Sequence, residues 1–344
     1  MLSAAGFSSR LLSMRIGIID LGTNSVRFAL FEVLPFDQSF HSLYREKIML
    51  RPGQGVFTSG RLPASSMERM SKAFRHFASV ARQHKVWHLE AYATSALREA
   101  ENSDRLVNRI LTETGIQIRV ISGQKEAELI ALGITHNEPQ LRGESLLIDI
   151  GGGSTEISFC RGRSILSSLS LDLGAQRLSQ LFLTREHLQP GPLRDLALKK
   201  MRHFIQQKLR PLKAKGRGKK PQLAIGSSGT LKALAKALST EPLPKKKKSK
   251  KKKKSGGRAL PLKPLSQRPH FSRSQLSTLI GELVEMPQSQ YTLAFAIDPK
   301  RKDLILPGAV LLEEVLFSLD VEKVTTTDFS LREGLLIKKI NSLI

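Results

Sequence analysis

Ile18-Ile19-Asp20-Leu21-Gly22-Thr23-Asn24-Ser25 and, about 130 residues further on, Ile148-Asp149-Ile150-Gly151-Gly152-Gly153-Ser154-Thr155 are the same device written twice. In each, a hydrophobic run delivers an aspartate, then a glycine turn, then hydroxyl or amide side chains. Arg15–Ile19 reads as a buried strand entering the first turn, and Val26–Val33 as its return, so the unit is a β-hairpin. Glu144–Ile150 and Glu156–Cys160 form the second hairpin on the same plan. The simple inference is a duplicated lobe with a cleft between the copies.

Outward from these hairpins, helix and strand signals alternate. Apolar residues Met67, Met70, Phe74 and Phe77 recur on one face of a helix from about Ala64 to His84. Leu89–Ala93 is a short strand ending at Thr94-Ser95-Ala96, Ser103–Thr114 a helix, and Ile116–Ile121 a strand closed by Ser122-Gly123. A helix then covers Lys125–Leu132. Gln222–Ile225 reads as a strand, Gly226-Ser227-Ser228-Gly229-Thr230 as a loop, and Leu231–Leu238 as the helix after it. Helices near Ser274–Glu285 and through Leu311–Ser318, a strand at Lys323–Thr327 and a helix at Leu331–Ile340 complete the pattern.

The chain has 344 residues, enough for two domains of roughly 150 residues, and a net charge of +25. Nine lysines stand at Lys245–Lys248 and Lys250–Lys254. Residues 241–270 are rich in Pro, Lys and Ser and are expected to be a disordered insert, because such a lysine block cannot pack. The positive field attracts polyanions as a class, whether nucleic acid, anionic lipid or polyphosphate. No apolar stretch approaches the ~20 residues needed to span a bilayer, and no membrane partner is expected. The single cysteine, Cys160, excludes an intrachain disulfide and a multi-cysteine zinc site, and suits a reducing cytoplasm. Residues 1–13 are expected to be a disordered extension. Their Arg and Ser content and lack of acids fit a transit peptide, while the plainer reading starts the protein at Met14.

Phosphate needs donors with no side chain in the way, and glycine turns supply inward-facing N–H groups to which Ser and Thr hydroxyls add. Three such loops occur: Asp20–Ser25, Asp149–Thr155 and Gly226–Thr230. Asp20 and Asp149, at the mouths of the hairpins, are placed to hold magnesium or another divalent cation, which takes one or two carboxylates plus water and phosphate oxygens. Either alone serves equally well as a turn cap; the pair favours the metal. Hydrolysis also needs a base. Glu126 and Glu128, in the first turn of a helix behind Ser122-Gly123, compete with Glu156 and Glu99, and Ser122 with Glu126 or Lys125 also reads as a helix cap. There is no Walker loop, no Cys-x5-Arg nucleophile and no histidine pair with metal spacing; His76, His84 and His88 are scattered. Direct attack by water therefore fits better than a covalent phosphoenzyme.

At these residues the chain resembles the Ppx/GppA phosphatase family, the exopolyphosphatases and guanosine pentaphosphate phosphohydrolases. The segments are IGIIDLGTNSVRFALFEV (from Ile16), YATSALREAEN (from Tyr92), VISGQKEAELIALG (from Val120), LLIDIGGGSTEIS (from Leu146), LDLGAQRL (from Leu171), AIGSSGTLKALAK (from Ala224) and FSLREGLL (from Phe329). The resemblance implies Glu126 as catalytic base, Asp149 and Glu156 as metal and water-positioning acids, and Arg98 as a phosphate-binding arginine. It implies phosphate contacts from Asn24, Ser25, Arg27, Gly152, Gly153, Ser154 and Thr155, to which the third loop adds Gly229 and Thr230. The family has two adjacent acids where this chain has Lys125-Glu126, so Lys125 is expected to lower the pKa of Glu126 and add positive charge to the cleft.

The fold expected from this is α/β, a two-lobed actin-like or ribonuclease H-like architecture with the site in the interlobe cleft. Lobe I spans 14–124 plus 331–344, and lobe II spans 125–330 with the insert. The chain looks like the short two-domain form, without the HD-type helical domains of longer members. The expected reaction is magnesium-dependent release of the terminal phosphate of inorganic polyphosphate, with pppGpp 5′-phosphohydrolysis as the alternative. A non-catalytic polyanion-binding regulator and an ATP-dependent sugar or acetate kinase are the readings from other classes. Nucleic acid through the lysine-rich segment and a second copy of the chain in a homodimer complete the expected partners.

Overall fold

The computed structural model describes residues 13–34, 39–216, 218, 221, 223–238 and 264–343. The expectations for residues 1–12 and for 241–263, with all nine clustered lysines, lie outside the described residues.

Two mixed sheets repeat one plan. The first contains β1 (Met14–Leu21), β2 (Ser25–Leu34), β3 (Ser39–Met49), β4 (His88–Ala93) and β5 (Ile118–Val120) in the order β3-β2-β1-β4-β5. The second contains β6 (Glu144–Ile150), β7 (Thr155–Arg161), β8 (Ser164–Leu171), β9 (Leu223–Gly226), β10 (His270–Ser272) and β11 (Lys323–Thr326) in the order β10-β11-β9-β6-β7-β8. In each sheet three strands form an antiparallel meander. Two later strands then join in parallel on the other side of the first strand. The duplication legible in two glycine turns therefore extends to whole sheets.

Helices cover the sheets. α1 (Val56–Ser59), α2 (Ala64–Gln83), α3 (Ser95–Glu99) and α4 (Ser103–Thr114) follow the first meander. Next come α5 (Gly123–Asn137), α6 (Ala175–Phe182), α7 (Pro192–Lys208), α8 (Arg210–Gly216) and α9 (Gly229–Leu238). The last are α10 (Arg273–Val284), α11 (Tyr291–Ala294), α12 (Lys302–Ser318) and α13 (Leu331–Asn341). Strand β1 is apolar on both faces, as a strand covered on both sides must be. Its Ile19 and Leu21 pack with Phe74 and Phe77 of α2 and Leu106 and Ile110 of α4. Its Ile16 and Ile18 face a second core built with Leu129 and Ile134 of α5, Leu335 and Ile340 of α13, and Leu147 and Ile225 of the second sheet. Helices α5 and α13 thus lie between the sheets. They cross backbone to backbone at Gly133, where a Cβ would come within 2.5 Å of the Ser330 carbonyl and 2.7 Å of the Gly334 nitrogen. Any larger residue would push the two helices apart.

Several elements differ from the sequence reading. β3 and β8 carry mixed polar patterns, with β3 largely exposed, so neither shows clean alternation. α6, α7 and α8 were not legible either. Helix α12 begins at Lys302, nine residues before the expected start, and runs through Pro307. Burial of Leu304, Ile305, Leu306 and Val310 outweighs the one backbone bond that proline removes. Residues 264–270 do not belong to a disordered insert: Arg268 forms a bidentate pair with buried Glu138, which also accepts from Thr327 at 2.6 Å. A buried carboxylate bonded on this scale fixes the segment to the end of α5. Among the described residues, no helix is long and apolar enough to cross a membrane.

Candidate active site in the interlobe cleft

The two turns meet face to face. A Cβ on Gly152 would lie 2.7 Å from Thr23 and from the Asn24 amide, and one on Gly174 would strike the Gly152 carbonyl. Glycine at these positions lets the loops approach until their backbones line one cleft. Ionic contacts span its rim: Arg51 grips Asp303 at 2.7 and 2.9 Å and the Lys300 carbonyl at 2.7 Å. Arg177 pairs with Glu99, bonds the Gly153 carbonyl at 2.7 Å and stacks over Phe57 at 4.3 Å.

The resulting pocket is small, about 70 Å³, and polar. Of the residues singled out from sequence, Asp20, Asn24, Ser25, Arg27, Glu126, Asp149, Gly152, Ser154, Gly229 and Thr230 line it. Glu156, Arg98, Gly153 and Thr155 stand behind this lining. Glu156 is buried and accepts from Ser170 at 2.7 Å, Arg98 reaches Glu126, and the Thr155 hydroxyl is committed to the Leu173 carbonyl at 2.6 Å. Thr23 and Ser228, which belong to the first and third loops read from sequence, also line the pocket, as do Thr94, Ser330 and Arg301, which sequence reasoning missed. Arg301 sits in a plain basic stretch, Pro299-Lys300-Arg301-Lys302, that carries no motif signal.

Glu126 comes from the first turn of α5, which Ser122 caps by accepting the Lys125 N–H at 3.2 Å. Its carboxylate pairs with Arg98 at 3.3 Å. Arg98 is itself anchored on the Ile121 carbonyl at 3.0 Å. Burial pushes the Glu126 carboxyl up to about 8, with Arg98 opposing and the charges of Asp20 and Asp149 reinforcing the rise. The expected lowering by Lys125 is not seen. Lys125 turns outward to Glu128 at 3.2 Å, so its charge is spent at the helix surface and burial decides.

Asp149 is raised by burial against the hydrogen bond it accepts from Ser227. Glu156 is raised well above the carboxylate range by burial and then by the charges of Glu126 and Asp149. Asp20 instead pairs with Arg27 at 3.2 Å. Acidic groups that lift one another's pKa in one cleft, with Arg98 and Arg27 opposing only part of their charge, form a hard-oxygen donor set that fits a divalent cation. Among the described residues, no cluster of three or more His, Cys, Asp or Glu is positioned to hold a metal alone. A cation at Asp20 and Asp149 would take its other ligands from water and phosphate, as magnesium does.

This geometry has counterparts. A family model described as "Ppx/GppA phosphatase family" matches residues 36–343.

The chain belongs to the Ppx/GppA phosphatase family.

Similar proteins include Exopolyphosphatase 1 of Mycobacterium leprae, 29% identical over 332 residues, covering 96% of this chain and 90% of that one. The crystal structure of an exopolyphosphatase from Cytophaga hutchinsonii matches with a TM-score of 0.80 at 27% identity, covering 96% of this chain and 98% of that one. The Aquifex aeolicus Ppx/GppA family member, at 22% identity, shares the fold with a TM-score of 0.73 over 96% of this chain and 99% of its own. The α/β two-sheet architecture is thus that of the Ppx/GppA phosphatases, and the chain is a phosphatase-type hydrolase by family.

Proposed function

We propose that this Ppx/GppA protein is an exopolyphosphatase, removing the terminal phosphate of inorganic polyphosphate in a cleft between lobes 14–124 plus 331–344 and 125–330. The observation that carries this reading is Glu126, buried, held by Arg98 and raised to about 8, on the wall of a pocket that glycine turns, hydroxyls, Asp20, Asp149, Arg27 and Arg301 also line. A carboxyl poised near neutral pH is suited to accept a proton from water. Water adds to the terminal phosphorus and its proton passes to Glu126. The bond to the bridging oxygen breaks, and the shortened chain leaves with the electron pair. Backbone N–H groups around Gly152 and the hydroxyls of Ser25, Ser154 and Thr230 bind the transferring phosphoryl oxygens. Arg27 and Arg301 offset charge on the bridging oxygen. Arg98 fixes the rotamer of Glu126, and Glu156 orders the water from behind. A divalent cation held by Asp20 and Asp149 would neutralise phosphate charge when bound.

The choice of polyphosphate over pppGpp rests on the surplus cations and on the names of the relatives. Phosphate release from long-chain polyphosphate and from pppGpp, with and without magnesium, tests it. Faster release from polyphosphate, magnesium-dependent and without any acceptor, is expected; release only from pppGpp overturns the reading. Activity in the wild type that is lost in Glu126→Gln sets aside the non-catalytic alternative.

A further inference from the structure

The segment Leu171–Leu178 lines no part of the catalytic pocket, yet the helix it opens forms the back of the second glycine turn. Three consecutive carbonyls of that turn point into the first turn of α6. The Ala175 N–H donates to the Gly151 carbonyl at 3.0 Å, and the N–H groups of Gln176 and Arg177 donate to the Gly152 carbonyl at 2.8 and 2.9 Å. The Gly153 carbonyl is taken by a side chain instead, the Arg177 Nε at 2.7 Å. In a trans peptide the C=O and the next N–H point in opposite directions. Drawing the carbonyls back therefore turns the N–H groups of Gly152, Gly153 and Ser154 the other way. None of the three donates to a backbone carbonyl among the described residues, and Gly152 and Ser154 line the pocket.

The anchors on Gly151 and Gly152 are backbone bonds that any sequence could make. The one on Gly153 depends on Arg177, and Arg177 depends on the first half of the chain. Its guanidinium pairs with Glu99 of α3 and stacks over the ring of Phe57 of α1 at 4.3 Å. Glu99 is fixed in turn by the Ser95 hydroxyl at 2.9 Å. A planar guanidinium makes both contacts at once, Nε to the carbonyl and Nη2 to the carboxylate, which an ammonium could not. The Arg177 side chain is only 11% exposed, so solvent screens the pair little. Three glycines in a row offer little torsional resistance of their own, and the direction of the Gly153–Ser154 peptide is left to Arg177.

We infer that Arg177 is a positioning residue for phosphoryl transfer. Oriented by Glu99, it holds the Gly153 carbonyl back and so aims the Ser154 N–H at the phosphoryl oxygens. The inference rests on the hydrolysis proposed above. The guanidinium is committed to a carbonyl and a carboxylate, so it acts through the peptide it holds and is not itself a phosphate contact. A donor aimed at charge that develops in the reaction is worth more in the transition state than in the bound substrate. Misdirecting it therefore acts on kcat more than on KM.

The test uses the full-length protein with Arg177→Ala, measuring phosphate release from polyphosphate alongside the thermal midpoint. Losing one aimed donor predicts a fall in kcat of about 10²-fold, with a much smaller change in KM. Guanidinium chloride, added well below denaturing concentrations, should refill the vacated space and restore part of kcat, which a merely loosened fold would not allow. Arg177→Lys keeps the charge without the fork and should stay impaired. Glu99→Gln leaves Arg177 in place but weakens its hold, so a smaller fall in kcat is expected, and this variant decides the question if Arg177→Ala does not fold. With an active wild type, unchanged kcat in Arg177→Ala or in Glu99→Gln overturns the assignment, as does a loss in Arg177→Ala that guanidinium leaves unrestored. Wild-type protein inactive on polyphosphate defeats the proposed function instead. Calorimetric binding of orthovanadate, which adopts the five-coordinate geometry of the transferring phosphorus, then decides the positioning role: weaker binding in Arg177→Ala than in the wild type supports it, and equal binding overturns it.

Discussion

The β1–β2 and β6–β7 hairpins have the same register and opposite electrostatics. In each, the aspartate at the turn faces the residue seven positions on: Asp20 pairs across the ladder with Arg27, and Asp149 with Glu156. Directly opposite residues on neighbouring strands share a face, so the first pairing is attractive and the second repulsive. The first is closed by an ion pair at 3.2 Å. In the second, both carboxyls are pushed up, Asp149 leaning on Ser227 and Glu156 on Ser170. Duplication supplied one scaffold twice, and a single position made one copy a cation-bearing wall and the other an acid-bearing wall. Glu126 stands between them, raised by burial, with Asp20 and Asp149 both adding to the rise.

The largest effect should come from removing the group both walls act on. Glu126→Gln preserves shape and removes the proton acceptor, so kcat should fall by ~10²–10⁴ with substrate binding little changed. Steady-state kinetics on the best substrate measure it; near-normal turnover would move the base to Glu156. In the wild type without divalent cation, Glu126 should titrate near 8, followed by carbon NMR of labelled glutamate. A base is active when ionised, so with magnesium present activity should rise with pH, at lower pH than the cation-free titration because the cation offsets the charges of Asp20 and Asp149 that help raise Glu126, and opposite to the behaviour of a catalytic acid.

A smaller effect separates the turns sterically. At Gly152 a methyl group would lie 2.7 Å from Thr23, whereas at Gly22 the nearest atom is the Ser25 carbonyl at 3.5 Å, an ordinary contact. Gly152→Ala should therefore cost about 1–3 kcal/mol, as overpacking does, and lower kcat by spreading the loops. Gly22→Ala should cost less than about 1 kcal/mol, because no positive φ requires glycine there. Denaturant midpoints of the two variants provide the comparison, and equal values would remove close approach as the reason for glycine in the second turn.

The pattern of what was legible follows the same physics. Both hairpins, helices α2, α4 and α5 and the third loop were readable because apolar periodicity and glycine turns are local signals. The partly exposed β3 and the cleft residue Arg301 were not, since each depends on a partner remote in sequence: β2 for the strand, and the opposite lobe for the arginine. The wrong expectation for Lys125 has the same origin. Adjacency in sequence suggested that it acts on Glu126, whereas on a helix consecutive residues point apart and Lys125 meets Glu128 three positions on. The acids of the second wall were nameable from motif, but their mutual repulsion required the strand register.

The smallest effect, and the most discriminating, comes from neutralising each wall in turn. Asp149→Asn and Asp20→Asn both remove a negative neighbour of Glu126, so both should lower its pKa. The charge of Asp149 acts on Glu156 as well. Asp149→Asn should therefore lower the titration of both glutamates, while Asp20→Asn moves that of Glu126 and leaves Glu156 nearly in place. Magnesium should separate the variants further. Asp20 already has a cationic partner in Arg27, whereas Asp149 faces another acid and has only a hydroxyl bonded to it. Losing the less compensated carboxylate should raise the magnesium needed for half-maximal activity by about tenfold or more, and losing Asp20 should raise it less. A neutral amide is a poor ligand for a hard cation, so an unchanged requirement in Asp149→Asn would make Asp149 a turn cap. The repulsive register of the second hairpin would then have no metal to balance it, leaving the hydroxyls of Ser227, Ser170 and Ser154 and the charges of Arg27 and Lys232 as its compensation.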